Sequence, residues 1–372
     1  MKLKKNTIVL FSVAVFTVIL NIVAWTSKGF CDFYVEKIFP LWINTYSRFT
    51  SVFPFSVGEI LIIIGLLLVV FGTVSYAVLI YKKEGKRLFI TKIYGKTVAW
   101  IMVSIALIQT LNCFILYHCT NFGDRYGMVA EEHTVDDLVK LGEIVTAIAN
   151  EYAEKVERDD EGRFIAEDNL GDRAIEAMQK LGEDYPQLKG FYPNPKPVMN
   201  SFFMSQQYLM GIYFPFTLEA NYNKDMYKVN LPDTLCHELA HLKGFILEDE
   251  ANFIAYLACI KSCDKDFIYS GATSALKYIR NNIEDYGTEE DIINFYENLS
   301  PYILLDWNMS YEHWEEVQND DSAIIPSDIV NTVGDIATDT SLKLNGVKDG
   351  KNSYGRMIDL MLDYYYEEIR NG

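Results

Sequence analysis

Residues 237 to 241 read His-Glu-Leu-Ala-His, which on a helix puts His237 and His241 one turn apart on one face with Glu238 beside them. Two imidazoles and a neighbouring carboxylate are the donor set and the general base of metal-assisted hydrolysis. Only five histidines occur in 372 residues, and two of them fall in this pentapeptide. Short motifs of this kind also recur by chance in helical proteins, so the flanking residues have to decide. Lys224, Asp225, Lys228 and Asp233 precede it and imply a helix that starts near water. Gly244 follows His241 by three residues, where a tight turn can send the chain back toward a metal. Glu248, Ala251 and Asn252 then form E-x-x-A-N on the next expected helix.

One helix face cannot surround an ion, so a third ligand must come from a second element. Glu248 is the expected one. Two imidazoles and a carboxylate leave a fourth tetrahedral position for water, the pattern of a catalytic Zn2+ site. Glu250 competes for the role, but it points to another helix face and reads as a solvated acid. Asn252, one turn after Glu248, is expected to accept a hydrogen bond from the far nitrogen of a ligating histidine and fix its tautomer. Cys236 adjoins His237, yet neighbouring helical positions point about 100° apart, so a core thiol is the favoured reading. Leu247 stands where H-E-x-x-H-x-x-G-x-x-H enzymes carry a third histidine, and leucine binds no metal.

The elements that carry this group divide by composition. Residues 1–117 hold 12 Lys and Arg against 4 Asp and Glu, whereas residues 118–372 carry a net charge of −26. Three stretches without a charged residue, about 7–25, 60–80 and 97–117, each match the roughly 20 residues that span a bilayer. The first is long for a signal-peptide core and has no small-residue cleavage site after it, so it reads as a retained span. Lys2, Lys4 and Lys5, then Lys82, Lys83, Lys86, Arg87, Lys92 and Lys96, place the N-terminus and second connection in the cytoplasm. Three crossings then put residues 118–372 outside. The expected organisation is a membrane domain at 1–117 and an extracytoplasmic catalytic domain at 118–372, in contact with a lipid bilayer and no nucleic acid.

In the second part, Thr134 to about Arg158 shows helical spacing of apolar residues with Thr134 as N-cap. Helices are also expected at Gly171–Gly182, from Asp233 or Thr234 through the motif, and at Glu248–Ile260, Phe267–Asn282, Glu289–Leu299 and Asp328–Ala337. Val198–Thr217 reads as two short strands, with Pro215 forcing the second to an edge or end. The fold class is mainly α with a small β-sheet. Cys31 and Cys119 could bridge, and Cys259 and Cys263 read as small buried side chains at i, i+4.

The core resembles glutamate-type zinc peptidases, in which E-x-x-A-D or E-x-x-A-N follows the His-Glu-x-x-His helix. More closely, the chain is similar to domain-of-unknown-function family 3810 of bacterial membrane proteins. The similar segments are Gly211–Asn221, Leu231–His241, Glu248–Tyr256 and Asp349–Arg356, together with the three-span front end. The resemblance implies a membrane-tethered, zincin-like domain and brings no substrate. The expected activity is zinc-dependent hydrolysis of peptide or protein substrates, with Zn2+ on His237, His241 and Glu248 and with Glu238 as base. Tyr354, Arg356 and His313 are the candidate oxyanion donors, and Gly211–Asn221 is read as either a substrate strand or an internal one. The competing expectation is a zinc-binding sensor or scaffold without turnover, for which Glu238 would have no use.

Overall fold

The computed structural model describes residues 5–128, 133–320, 322–345, 347 and 356–371. The chain is mainly helical with small sheets, the class expected from the sequence. It forms two compact units: Met1–Cys119 with Phe214–Glu219, and Thr120–Tyr213 with Ala220–Gly372.

In the first unit, Lys5–Thr26, Val57–Lys82 and Arg87–His118 are long and apolar enough to cross a membrane. Each contains one of the apolar stretches read from the sequence. Their apolar side chains stay exposed, among them Phe11, Leu66, Val69 and Met102, as a surface facing lipid tolerates. Asn21 Nδ2 donates to Thr110 Oγ1 at 2.8 Å, a polar link between the first and third helices. The aromatic connection after the first helix is itself helical from Lys28 to Thr50, which its composition concealed. It buries Cys31, Val35, Phe39, Ile43 and Ser47, a spacing of four residues. At about 100° per residue an α-helix drifts some 40° at each such step. The π-helical turns Tyr34–Ile38 and Ile43–Ser47 take up that drift and keep the seam straight.

Phe214–Glu219 is the turn between two strands and is held tightly in this unit. Ser47 Oγ donates to the Leu218 carbonyl at 2.7 Å, Thr50 Oγ1 to that of Thr217 at 2.9 Å, and Asn112 Nδ2 to that of Pro215 at 2.7 Å. The Glu219 carboxylate accepts from the N–H groups of Val57 and Gly58 at 3.2 and 2.8 Å, pairing two donors at the positive end of a helix. These bonds hold Leu218 at a φ of 53°, a conformation its side chain disfavours.

The second unit is built around Leu231–His241, which packs on Leu170–Asp184, Glu248–Lys261 and Lys265–Tyr286. Leu235, Cys236, Leu239 and Ala240 face that core, so Cys236 is a core thiol as read. Val135–Ala153 lies along Lys265–Tyr286 and starts with a capping box of Thr134 and Asp137. A three-stranded sheet runs in the order Lys196–Pro197, Glu219–Tyr222, Gly211–Phe214, with Lys196 paired to Asn221 in parallel register. The expected strands over Val198–Thr217 are corrected: Ser201–Ser205 is a helical turn, and the strands begin at Gly211 and Glu219. Pro301–Gln318, Met357–Tyr364 and Tyr366–Asn371 are helices that the sequence reading did not assign, although Ser300 caps the first of them. Cys31 and Cys119 are not bridged; the Cys119 thiol donates to the Cys31 carbonyl at 3.4 Å. Cys263 is exposed rather than buried, because the helix stops at Lys261 and Cys263 turns out at a φ of 66°.

Asp306 ties three elements of this unit together from a fully buried position. Its carboxylate accepts from Arg158 Nη1 at 3.0 Å, from Tyr227 Oη at 3.0 Å and from the hydroxyl of Tyr269. Replacing Asp306 by Ala removes the carboxylate partner of the largely buried Arg158 guanidinium and the acceptor of the Tyr227 and Tyr269 hydroxyls, a loss of about 3–5 kcal/mol. Thermal or denaturant unfolding of the full chain in detergent should show a drop of that order.

Candidate metal centre

The motif helix starts with Pro232 in its first turn, where a missing N–H costs nothing, and runs to His241. Helical spacing sets His237 Nε2 and His241 Nε2 3.1 Å apart, with the two rings nearly perpendicular at 88°. The helix cannot continue past Gly244, whose φ of 92° turns the chain sharply. That turn returns the Phe245 carbonyl to His241, where it accepts from Nδ1 at 2.7 Å. The bond assigns the proton to Nδ1 and leaves the Nε2 lone pair aimed at His237 and Glu248.

Glu248 opens the next helix and reaches back. Its Oε2 is 3.0 Å from His237 Nε2 and 3.8 Å from His241 Nε2. The donor atoms of His237, Glu238 and His241 also lie within 4.8 Å of one another. Four-coordinate zinc with bonds of about 2.0–2.1 Å spaces its ligands by roughly 3.3 Å. The three donors from His237, His241 and Glu248 therefore fit a tetrahedral ion, and they include both expected ligand types.

Electrostatics within the cluster follow from burial. Burial lowers His241 to about 4, against the pull of Glu248, so it stays neutral. Burial also disfavours charge on His237, but the hydrogen bond and charge of Glu248, with Glu238 and Asp233, raise it to about 9. Burial opposes ionisation of Glu248 as well, and the bond from His237 overcomes it and lowers its value. Glu238 is pushed up to about 8, first by burial and then by Glu248, with His237 acting the other way.

The remaining expected residues separate cleanly. Glu250 is buried rather than solvated: its carboxylate accepts the Phe122 N–H, and burial raises it to about 8. It faces the helix Phe122–Tyr126, whereas Glu248 faces the histidines. Asn252 does not hold His241, since Phe245 does; its Nδ2 donates to the Tyr278 hydroxyl at 3.1 Å. Arg356 Nε pairs with Asp249 Oδ2 at 3.0 Å, on the residue after Glu248. His313 lies against Trp314 with ring centres 5.1 Å apart, and burial lowers its basicity. Tyr354 and most of Asp349–Arg356 lie outside the described residues.

Several groups at the centre were given no individual role from the sequence. Gly211 packs on Glu238, and the Tyr213 ring centre is 6.0 Å from that of His241. Lys243 is buried behind the motif helix, donating to the carbonyls of Lys189 and Phe191 at 2.8 and 3.1 Å over the Tyr192 ring. Asp233 is half-buried and raised to about 6 by burial, so the motif helix does not begin fully in water. Its place four residues before His237 on one helix face was a usable signal. The Phe245 carbonyl was not, because any residue supplies one.

The model of a family described as protein of unknown function (DUF3810) matches residues 34–362. The chain belongs to that family. No curated protein and no solved structure matches it. The DUF3810 match spans the second and third long helices, the motif helix and the helix Glu248–Lys261, so His237, Glu238, His241 and Glu248 all fall inside it.

Glu248 and Glu250 are separable by experiment on the full chain in detergent. Glu248→Ala should weaken zinc binding by about 100-fold or more by elemental analysis after dialysis. Glu250→Ala should keep the metal and lose about 1–3 kcal/mol of stability through the unpaired Phe122 N–H.

Proposed function

We propose that this DUF3810 chain is a membrane-anchored zinc metallopeptidase with a zincin-like catalytic domain, acting on peptides or proteins outside the cytoplasmic membrane. The observation that carries the reading is a buried carboxylate, Glu238, set beside three converging ligand atoms. A site that only stores or senses zinc needs the ligands and has no work for an adjoining base.

His237, His241 and Glu248 would hold the ion, which when bound supplies an acidic water and a polarised carbonyl. Glu238 Oε2, which has no hydrogen-bond partner among the described residues, takes a proton from the attacking water and returns it to the leaving amine. His241 is held in the ligating tautomer by Phe245. The strand Gly211–Phe214 ends the small sheet and passes Glu238, so an extended peptide pairing with its backbone would bring a carbonyl to the base. The basic N-terminus and second connection support an orientation with Thr120–Gly372 on the outer side.

Two measurements test this on the full chain in detergent or nanodiscs. Wild type and Glu238→Gln should each bind about one zinc per chain. Hydrolysis of a pooled set of quenched fluorogenic peptides should fall by roughly 100-fold to 10,000-fold in Glu238→Gln. Zinc without any peptide cleavage in wild type would favour a sensor or scaffold. For orientation, a reporter that works only outside the cytoplasm should be active when fused after Gly372, and activity of a cytoplasm-only reporter there would reverse the topology.

A further inference from the structure

Gly211 opens the strand beside the motif helix, and its glycine identity has a steric cause. The glycines with positive φ among the described residues are Gly127, Gly162, Gly190 and Gly244, so Gly211 is not there to permit a left-handed backbone. A Cβ added to it would stand 2.3 Å from Glu238 Oε1, 2.6 Å from Cγ and 2.7 Å from Cδ. All three atoms belong to one side chain. The strand backbone is therefore packed flat against the carboxyl end of Glu238.

Glu238 has three rotatable torsions, and no hydrogen bond from the described residues fixes its Oε2. It is nonetheless 4% exposed, so packing has to choose its direction. We infer that Gly211 is a positioning residue for Glu238: its bare backbone is the wall that sets the carboxyl orientation, with Oε1 on the wall and Oε2 directed away from it. The inference rests on the reading of Glu238 as the base and adds a residue that touches neither metal nor proton. Ordinary contact for a Cβ begins at 3.4 Å, so alanine at 211 forces the carboxyl to retreat by about 1 Å. Misplacement of a reacting group by about 1 Å costs on the order of 100-fold in rate.

The test uses the full chain in detergent with the same pooled quenched peptides. Gly211→Ala should retain one zinc, keep KM within about twofold and lose about 100-fold in kcat. Glu238→Asp withdraws the carboxyl by one methylene and makes room for the methyl group. The double variant should therefore be no slower than Glu238→Asp alone. Unchanged kcat in Gly211→Ala, or losses that add in the double variant, overturns the inference.

A second cycle needs neither substrate nor metal. Gly211→Ala should lower the melting temperature of the metal-free chain by a few degrees, and Glu238→Ala should abolish that loss by removing the clash. Equal losses in both backgrounds place the contact elsewhere and overturn the inference. Absence of zinc or of peptide cleavage in wild type defeats the peptidase reading instead, and the melting cycle still decides the role of Gly211.

Discussion

Three electron-pair donors from two helices are held within 3.0–3.8 Å of one another in a largely buried cluster, and much of the second unit is arranged to make that closeness bearable. Lone pairs at such distances repel unless a proton or a cation lies among them, and burial removes the water that would screen them. Without a cation the two imidazoles are displaced in opposite directions: burial lowers His241, whereas the bond and charge of Glu248 raise His237 against burial. A divalent cation would satisfy all three donors at once. The same closeness makes the backbone around Gly244 decisive, because it returns both the Phe245 carbonyl and the Glu248 helix to the motif helix.

The sequence disclosed the centre better than its surroundings. His237, Glu238, His241 and Glu248 are side chains whose spacing is fixed by helical geometry, and the distances agree with that spacing. Glu248 and Glu250 do face different neighbours, although Glu250 is buried rather than solvated as its helix face suggested. Glu250 is turned away because Phe122 offers an N–H inside the core, a contact 128 residues distant in sequence that no local pattern announces. Asn252 was assigned to a histidine by one-turn spacing, but a backbone carbonyl closer along the chain took that place. Side-chain periodicity does not reveal competition from main-chain groups.

The same limit applied to the fold. The three charge-free stretches are long, strongly patterned and correctly located. The helical run Lys28–Thr50 was hidden because its buried residues recur every four positions, which matches neither a strand nor a regular α-helix. The strand turn Phe214–Glu219 clusters with the first unit through side-chain donors from residues 47, 50 and 112 and through two backbone N–H groups near residue 57. Pro215 was legible as a strand end, but the partners of the turn were not, since each lies more than 100 residues away.

Buried carboxylates elsewhere in the second unit give the contrast that isolates Glu238. Asp306 accepts from an arginine and two tyrosines, Asp266 from Arg173 and the Glu167 N–H through Oδ2 although its Oδ1 has no partner, and Glu250 from the Phe122 N–H. Each offsets its desolvation with donors from the protein. Glu238 is as inaccessible as Glu250, yet Oε2 receives no donor from the described residues and the side chain is backed by a glycine. Asp306, Asp266 and Glu250 each receive at least one donor from the protein, whereas Glu238 stands beside the nitrogen atoms of His237 and His241. That arrangement costs stability and is intelligible if the carboxylate exchanges a proton with a molecule that comes and goes.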